Sequence, residues 1–214
     1  MNHKLYSCYY EERDPFGIFP EVVSIGSLEQ LNNDGVLVLW GGEDISPALY
    51  NQIPIKETSA LSVPSRRDSF EVACALWAIE NNMPIIGVCR GAQLMCALNG
   101  GTLIQHVTNH AGGKHEIETY DGVRLFTNSI HHQMMNPVNT EHEVLAWTPY
   151  PISTKYLGEH RQNLTIHQEP EIVWFPKTKT LAIQGHPEYL YPNHDFVKYC
   201  TTLIQRILLT GGPK

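Results

Sequence analysis

The stretch PIIGVCRGAQLMCALNGG, residues 84–101, changes character in its middle. Pro84 to Val88 is an apolar run of strand length. From Arg90 the composition becomes that of a helix, which the pair Gly100-Gly101 would stop. The switch falls on Cys89, with Gly87 and Gly91 two residues to either side. A thiol that only fills core space needs no such glycines. A nucleophile on a sharp turn from strand to helix does, because small flanking residues let the backbone turn tightly and leave the side chain above the sheet. The helix that starts there offers free N–H groups and a positive dipole end, which favour a thiolate and a developing oxyanion.

Outward from this elbow, apolar runs bounded by turn residues predict strands at 4–10, 35–40, 171–176 and 180–184, besides 84–89. In SRRDSFEVACALWAIENN, residues 65–82, Phe70, Ala73, Cys74 and Trp77 recur at helical spacing. Ser65 can cap that helix with Asp68, and Asn81-Asn82 before Pro84 ends it. Further helices are expected from Cys89 to about Leu98 and over 193–209. Strands alternating with helices predict an α/β fold, a three-layer sandwich whose mainly parallel central sheet is covered on both faces. Residues 102–150, with shorter strand-like pieces and Gly and Asn turns, are expected to add antiparallel strands at one edge. A chain of 214 residues suits one domain over 1–214.

Composition narrows the function. A formal charge of −7 argues against nucleic acid as a partner, since sequence-independent binding to phosphates needs a basic face. No apolar run approaches the ~20 residues that span a bilayer, so no membrane partner is expected. The start MNHKLYSCYYEERD lacks the basic and then apolar layout of a secretory signal, and a cytoplasmic location is expected. Cys8, Cys74, Cys89, Cys96 and Cys200 form no spaced disulfide framework, in keeping with a reducing compartment. Cys74 and Cys96 fall on apolar helix positions and read as packing residues.

Two other segments carry chemistry. In LAIQGHPEY, residues 181–189, a strand runs into His186 and Glu188, which supply a base and a carboxylate to orient it. They follow the C-terminal end of a strand expected to be parallel, the edge at which open sheets place their sites. In LWGGEDISPALY, residues 39–50, Gly41-Gly42 follows a strand, and its backbone N–H groups could complete an oxyanion hole. His106, His110, His115 and the pair His131-His132 match no zinc-site spacing and have no cysteine beside them, so no metal is expected. Arg66-Arg67 at a helix start runs against the dipole and reads as a solvated pair, with Arg67 the candidate for a structural or pocket role.

The order Gly-Gly, then G-x-C-x-G, then His-x-Glu resembles class I glutamine amidotransferases. Within that superfamily, GVCRGAQ, NGGTLIQH, NSIHHQ, GGEDISPALY and RRDSFE are most similar to the gamma-glutamyl-gamma-aminobutyrate hydrolase branch, the gamma-glutamyl hydrolase type of cysteine peptidase, over about residues 35–205. The resemblance implies a flavodoxin-like fold, with Cys89 as nucleophile, His186 as base and Glu188 as its orienting carboxylate. It implies an oxyanion hole from the N–H groups of Gly42 and Arg90. It also implies substrate contacts from Gln93 and, on the opposite wall, from Ser129, His131 and His132. No cofactor is implied. The activity implied is hydrolysis of a gamma-glutamyl amide through a glutamyl thioester, on a small-molecule substrate. Two other readings stand beside it: a glutaminase subunit that feeds ammonia to a separate synthase, and a catalytically silent binding relative. Association would be with a synthase partner or as a homo-oligomer. The chain departs from the family at Gly185, where an aromatic residue usually precedes the histidine, and at Trp40, where proline usually precedes the glycine pair. Only EVVSIGSLEQLNN, residues 21–33, stands where relatives carry a further strand and helix.

Overall fold

The computed structural model describes residues 3–9 and 13–210. Strands β1 (Lys4–Cys8), β2 (Val22–Ile25) and β3 (Gly35–Leu39) lead to helix α1 (Arg66–Glu80), β4 (Ile85–Val88) and α2 (Arg90–Leu98). There follow β5 (Thr102–Ile104), β6 (His106–Val107), β7 (Ala111–Thr119), β8 (Arg124–Ile130), β9 (Met134–Asn136) and β10 (Glu143–Trp147). The chain closes with β11 (Tyr156–Leu157), β12 (Pro170–Phe175), β13 (Thr180–Ile183) and α3 (Asp195–Leu203), which a wider-turned π segment, Ile204–Leu209, prolongs. The five strands expected from the sequence are all present; the first was expected to reach Tyr10, which lies outside the described residues.

Nine strands form one sheet in the order β2-β1-β3-β4-β13-β12-β10-β7-β8. Neighbours from β2 to β13 are parallel, and those from β13 to β8 are antiparallel. The segment 102–150 therefore does extend one edge with antiparallel strands. The parallel half is buried on both faces. Val36, Val38, Ile86, Val88, Leu181 and Ile183 pack against Phe196, Cys200 and Leu203 of α3. Leu37, Leu39 and Ile85 pack against Cys74 and Ala78 of α1 and Leu94 and Met95 of α2. Period-2 alternation thus sends successive residues of one strand into two different cores, which is why these strands read as unbroken apolar runs.

The short N-terminal segment corrects one expectation. It does hold a strand, β2, paired in parallel with β1 at the sheet edge. Its single buried residue, Ile25, leaves little apolar signal in the sequence. Only the helix is curtailed, to one 3-10 turn at Leu28–Gln30, where Gln30 Oε1 accepts from the N–H groups of Gly26 and Ser27 at 2.7 and 3.0 Å.

Helix α1 supplies a second correction. Its capping box is as expected, Ser65 Oγ accepting from Asp68 N at 3.0 Å while Asp68 Oδ2 accepts from Ser65 N at 2.8 Å. Its buried face, however, runs through Asp68, Glu71, Cys74, Ala75 and Ala78, and Phe70, Ala73 and Trp77 lie half-buried at the margin. Two carboxylates occupy a core-facing stripe because a cation meets them there. Arg90, 1% exposed, sends Nη2 to Asp68 Oδ1 at 2.5 Å and Nη1 to Glu71 Oε2. Arg67 Nε donates to the other oxygen of Glu71 at 2.8 Å, and its Nη2 donates to the carbonyls of Trp40 and Gly41 at 3.2 and 2.9 Å. Arg67 is thus a structural link between α1 and the Gly41-Gly42 turn rather than half of a solvated pair; only Arg66 is exposed.

Removing one partner from such a buried network leaves uncompensated charge. Arg90→Met is expected to lower stability by about 3–5 kcal/mol, read as a shift of the urea midpoint at unchanged slope. Arg66→Met should leave that midpoint where it is.

Candidate active site

Three neighbouring parallel strands, β3, β4 and β13, end side by side. Leu39 pairs with Gly87 and Ile183 with Val88, so the chain continues from those ends into Gly41-Gly42, Cys89 and His186 along one edge of the sheet. Adjacent strands lie about 4.8 Å apart, so residues just beyond their ends fall within side-chain reach of one another. The backbone N–H of Cys89 donates to Ile183 O at 2.7 Å and locks the elbow to the neighbouring strand.

Cys89 has φ 47° and ψ −102°, a strained conformation for a residue with a side chain. The flanking glycines permit it. A Cβ on Gly87 would stand 2.7 Å from the Gly91 backbone, and one on Gly91 would collide with Leu39 O. Helix and strand therefore approach more closely than any larger residue allows. Gly41 has a comparable reason, since a Cβ there would lie 2.5 Å from His186 Cε1.

His186 is fixed from several sides. Its Nδ1 bonds Glu188 Oε1 at 2.7 Å, and its ring stacks on Tyr189 with centroids 4.9 Å apart. Asn128 clamps its backbone, accepting from His186 N at 2.9 Å and donating to His186 O at 2.8 Å. Arg13 Nη2 donates to Glu188 O at 3.2 Å. With Nδ1 committed to Glu188, Nε2 is buried without a hydrogen-bond partner. Burial disfavours the charged ring, but the Cys89 thiol and the Glu188 carboxylate outweigh it and raise His186 to about 10. Gly185 takes its place here too, because a Cβ would collide with Thr127 Oγ1 and crowd Phe196.

The other candidates lie in different surroundings. Gln93 is buried on α2, and its Nε2 donates to Gln133 O at 3.1 Å. Ser129 Oγ donates to His110 O at 2.5 Å, and His131 is buried, with Nδ1 on Gln133 O at 2.9 Å and its value pressed down to about 4 by burial. These two side chains are engaged inside the protein, not spread along an open pocket wall. His132 is half-exposed, and Asp44, 3.0 Å from its Nε2, raises it. Asp44 also lines a groove of about 510 Å³ that runs past Ser65 and Arg67 to Arg90, beside the elbow. Trp40 fills its position by donating Nε1–H to Ser7 Oγ at 2.8 Å. Asn128 and Arg13, which hold the histidine loop, carry no sequence signal of that role beyond the place of Asn128 in NSIHHQ.

Residues 26–153 match the family model described as Peptidase C26, more than half of the chain. The chain belongs to the Peptidase C26 family. The match takes in Gly41-Gly42, Cys89 and residues 128–133, whereas His186 and Glu188 lie beyond it. Protein NtpR of Enterococcus hirae is 32% identical over 135 residues, 53% of this chain and 56% of NtpR. The chain covers between 27% and 66% of the length of the curated relatives it matches. A glutamine amidotransferase of Thermotoga maritima superposes with a TM-score of 0.56 at 10% identity, covering 98% of this chain and 97% of that one. The glutaminase domain of Trypanosoma brucei CTPS, solved with bound acivicin, gives 0.57 at 13% identity, covering 99% and 95%. The fold of this Peptidase C26 protein is that of the class I glutamine amidotransferases, and its family is one of cysteine hydrolases. No helix among the described residues is long and apolar enough to cross a membrane.

The cysteines of this family member differ in access. Cys89 is 7% exposed and Cys8, Cys74, Cys96 and Cys200 are 0%. Burial pushes the Cys96 thiol up to about 12 and Cys200 higher still. Iodoacetamide near neutral pH, followed by peptide mapping, should label Cys89 first and the other four only on unfolding.

His186 gives a second expectation. Its folded value of about 10 lies above the ordinary 6.5, so the stability it contributes is complete below pH 6.5 and is lost as the pH rises towards 10. An NMR titration of the imidazole protons should show His186 still charged at pH 8, and Glu188→Gln should lower its midpoint.

Proposed function

We propose that the protein hydrolyses the gamma-glutamyl amide bond of a small molecule, with Cys89 as nucleophile. The observation that carries the reading is the 2.7 Å contact of His186 Nδ1 with Glu188, which leaves Nε2 as the ring atom for Cys89. In this mechanism the Cys89 sulfur attacks the delta carbonyl of the glutamyl group. The oxyanion that forms is held by the backbone N–H groups of Gly42 and of Arg90, the first residue of α2, whose N–H has no partner within the helix. The C–N bond then breaks as His186 Nε2–H protonates the leaving amine, giving a glutamyl thioester and neutral His186. A water that gives its proton to Nε2 attacks the thioester, and glutamate leaves with Cys89 restored. Gln93, one helical turn beyond Cys89, would contact the glutamyl group, and Asp44, paired with His132, lines the groove by which the amine half would lie.

A second reading, a glutaminase subunit that passes ammonia to a synthase, is favoured by the likeness to a glutaminase domain of CTPS. The two differ in what the isolated chain does. A stand-alone hydrolase has its pocket assembled without a partner.

The purified chain alone is therefore expected to cleave at least one gamma-glutamyl amine with kcat/KM well above that for glutamine, read by mass spectrometry of glutamate and released amine. Activity on glutamine only, appearing when a second protein of the same source is added, would overturn the hydrolase in favour of the subunit. Cys89→Ala and His186→Ala should each lower turnover by several orders of magnitude, and Glu188→Gln by less, since an orienting group is partly replaceable.

A further inference from the structure

The antiparallel half of the sheet gathers histidines that this hydrolysis does not use. His110 precedes β7, His115 lies within it, His131 follows β8, and Glu171 lies on β12. Around Glu171 Oε1 stand His115 Nε2 at 2.9 Å, His110 Nδ1 at 3.7 Å and His131 Nε2 at 3.9 Å. The His110 ring centroid is 5.1 Å from that of His115 and 4.7 Å from that of His131. Their spacing along the chain matches no zinc pattern because the residues come from separate strands; the sheet brings them together. His106 stays apart, facing His132.

Hydrogen bonding among themselves does not satisfy this group. Only the His115 contact is of hydrogen-bond length. Both ring nitrogens of His110, Nε2 of His131 and Oε2 of Glu171 are buried with no hydrogen-bond partner in the protein. So many orphaned polar atoms in one place need another occupant. A tetrahedral ion with bonds of about 2.0–2.1 Å has ligand atoms about 3.4 Å apart, and the separations of 2.9 and 3.7 Å from Glu171 Oε1 to His115 Nε2 and His110 Nδ1 bracket that spacing.

We propose that His110 Nδ1, His115 Nε2 and the Glu171 carboxylate, whose ligand atoms lie within 4.8 Å of one another, bind a divalent first-row transition metal, zinc. Two imidazoles with one carboxylate and no thiolate select such an ion over magnesium or calcium, whose ligands are oxygens. The outer partners fit the assignment. His131 Nδ1–H donates to Gln133 O at 2.9 Å, which turns the lone pair of Nε2 inward. His110 Nε2 faces Glu169 Oε2 at 3.4 Å, and Glu169 is itself held by Thr148 Oγ1, Ile152 N, Ser153 N and Tyr156 OH at 2.6–2.9 Å. Three protein ligands leave the fourth position of the tetrahedron to a water that could donate to the unpartnered Nε2 of His131. The ion would tie β7 to β12. Ser129, bonded to His110 O, adjoins the Asn128 that clamps His186.

This assignment is independent of the hydrolytic reading and is tested by metal content. The full chain, expressed without a histidine tag, is loaded with zinc, passed through gel filtration and measured by inductively coupled plasma mass spectrometry. About one zinc per chain is expected, kept by Cys89→Ala and lost from His115→Gln and Glu171→Gln. Glu169→Gln should weaken zinc binding about 10- to 100-fold in chelator competition. Cobalt in place of zinc should give the intense visible bands of a tetrahedral site, a readout of the unaltered chain that stands even where a variant fails to fold. Wild-type protein holding less than about 0.1 metal per chain after loading, or zinc retained in full by both His115→Gln and Glu171→Gln, would overturn it.

Discussion

The buried network of Asp68, Glu71, Arg90 and Arg67 is the constraint on which the rest of the site depends. Two cations and two carboxylates taken out of water hold one another in place only at close range, since each would be costly alone in the protein interior. Arg90 is the residue immediately after the nucleophile, so its side chain anchors the start of α2 to α1. Arg67 extends the same network to the carbonyls of Trp40 and Gly41. Two loops that belong to different strands are thereby referred to one helix. A strained Cys89 can persist because its surroundings over-determine it.

On the other side of Cys89 the fixing is by neutral hydrogen bonds. The antiparallel half of the sheet coils until its edge strand β8 reaches the loop after β13, where Thr127 lies against Gly185 and Asn128 bonds both backbone groups of His186. A side-chain amide there does what a neighbouring strand would do. Arg13, from the N-terminal segment, holds the carbonyl of Glu188 from outside. The histidine therefore owes its orientation to two distant parts of the chain as well as to its carboxylate two residues on.

The departures from the usual family pattern have local reasons. Gly185 leaves the space that Phe196 and Thr127 take, and Trp40, where the resemblance leads one to expect proline, sends its indole N–H to Ser7 in the core. Neither alters the ends of β3, β4 and β13, whose adjacency places the chemistry.

Much of this was legible in the chain itself. The elbow, the helix caps and the unbroken apolar strands are local patterns, because tight turns need small residues and doubly covered strands need apolar ones. Hence Cys89, His186 and Glu188 could be singled out before any contact was seen. Other features depended on residues far apart in sequence, and only the tertiary structure decided them. Asp68 reads only as a capping residue, and Glu71 carries no signal, until Arg90 is seen opposite them. β2 is half-exposed at an edge, with one buried residue to betray it. Ser129 and His131, part of the same short motif as Asn128, turn into a buried cluster with His110, His115 and Glu171. Strand pairing alone could bring those residues together, because a sheet sets its neighbours by register and crossover and not by distance along the chain.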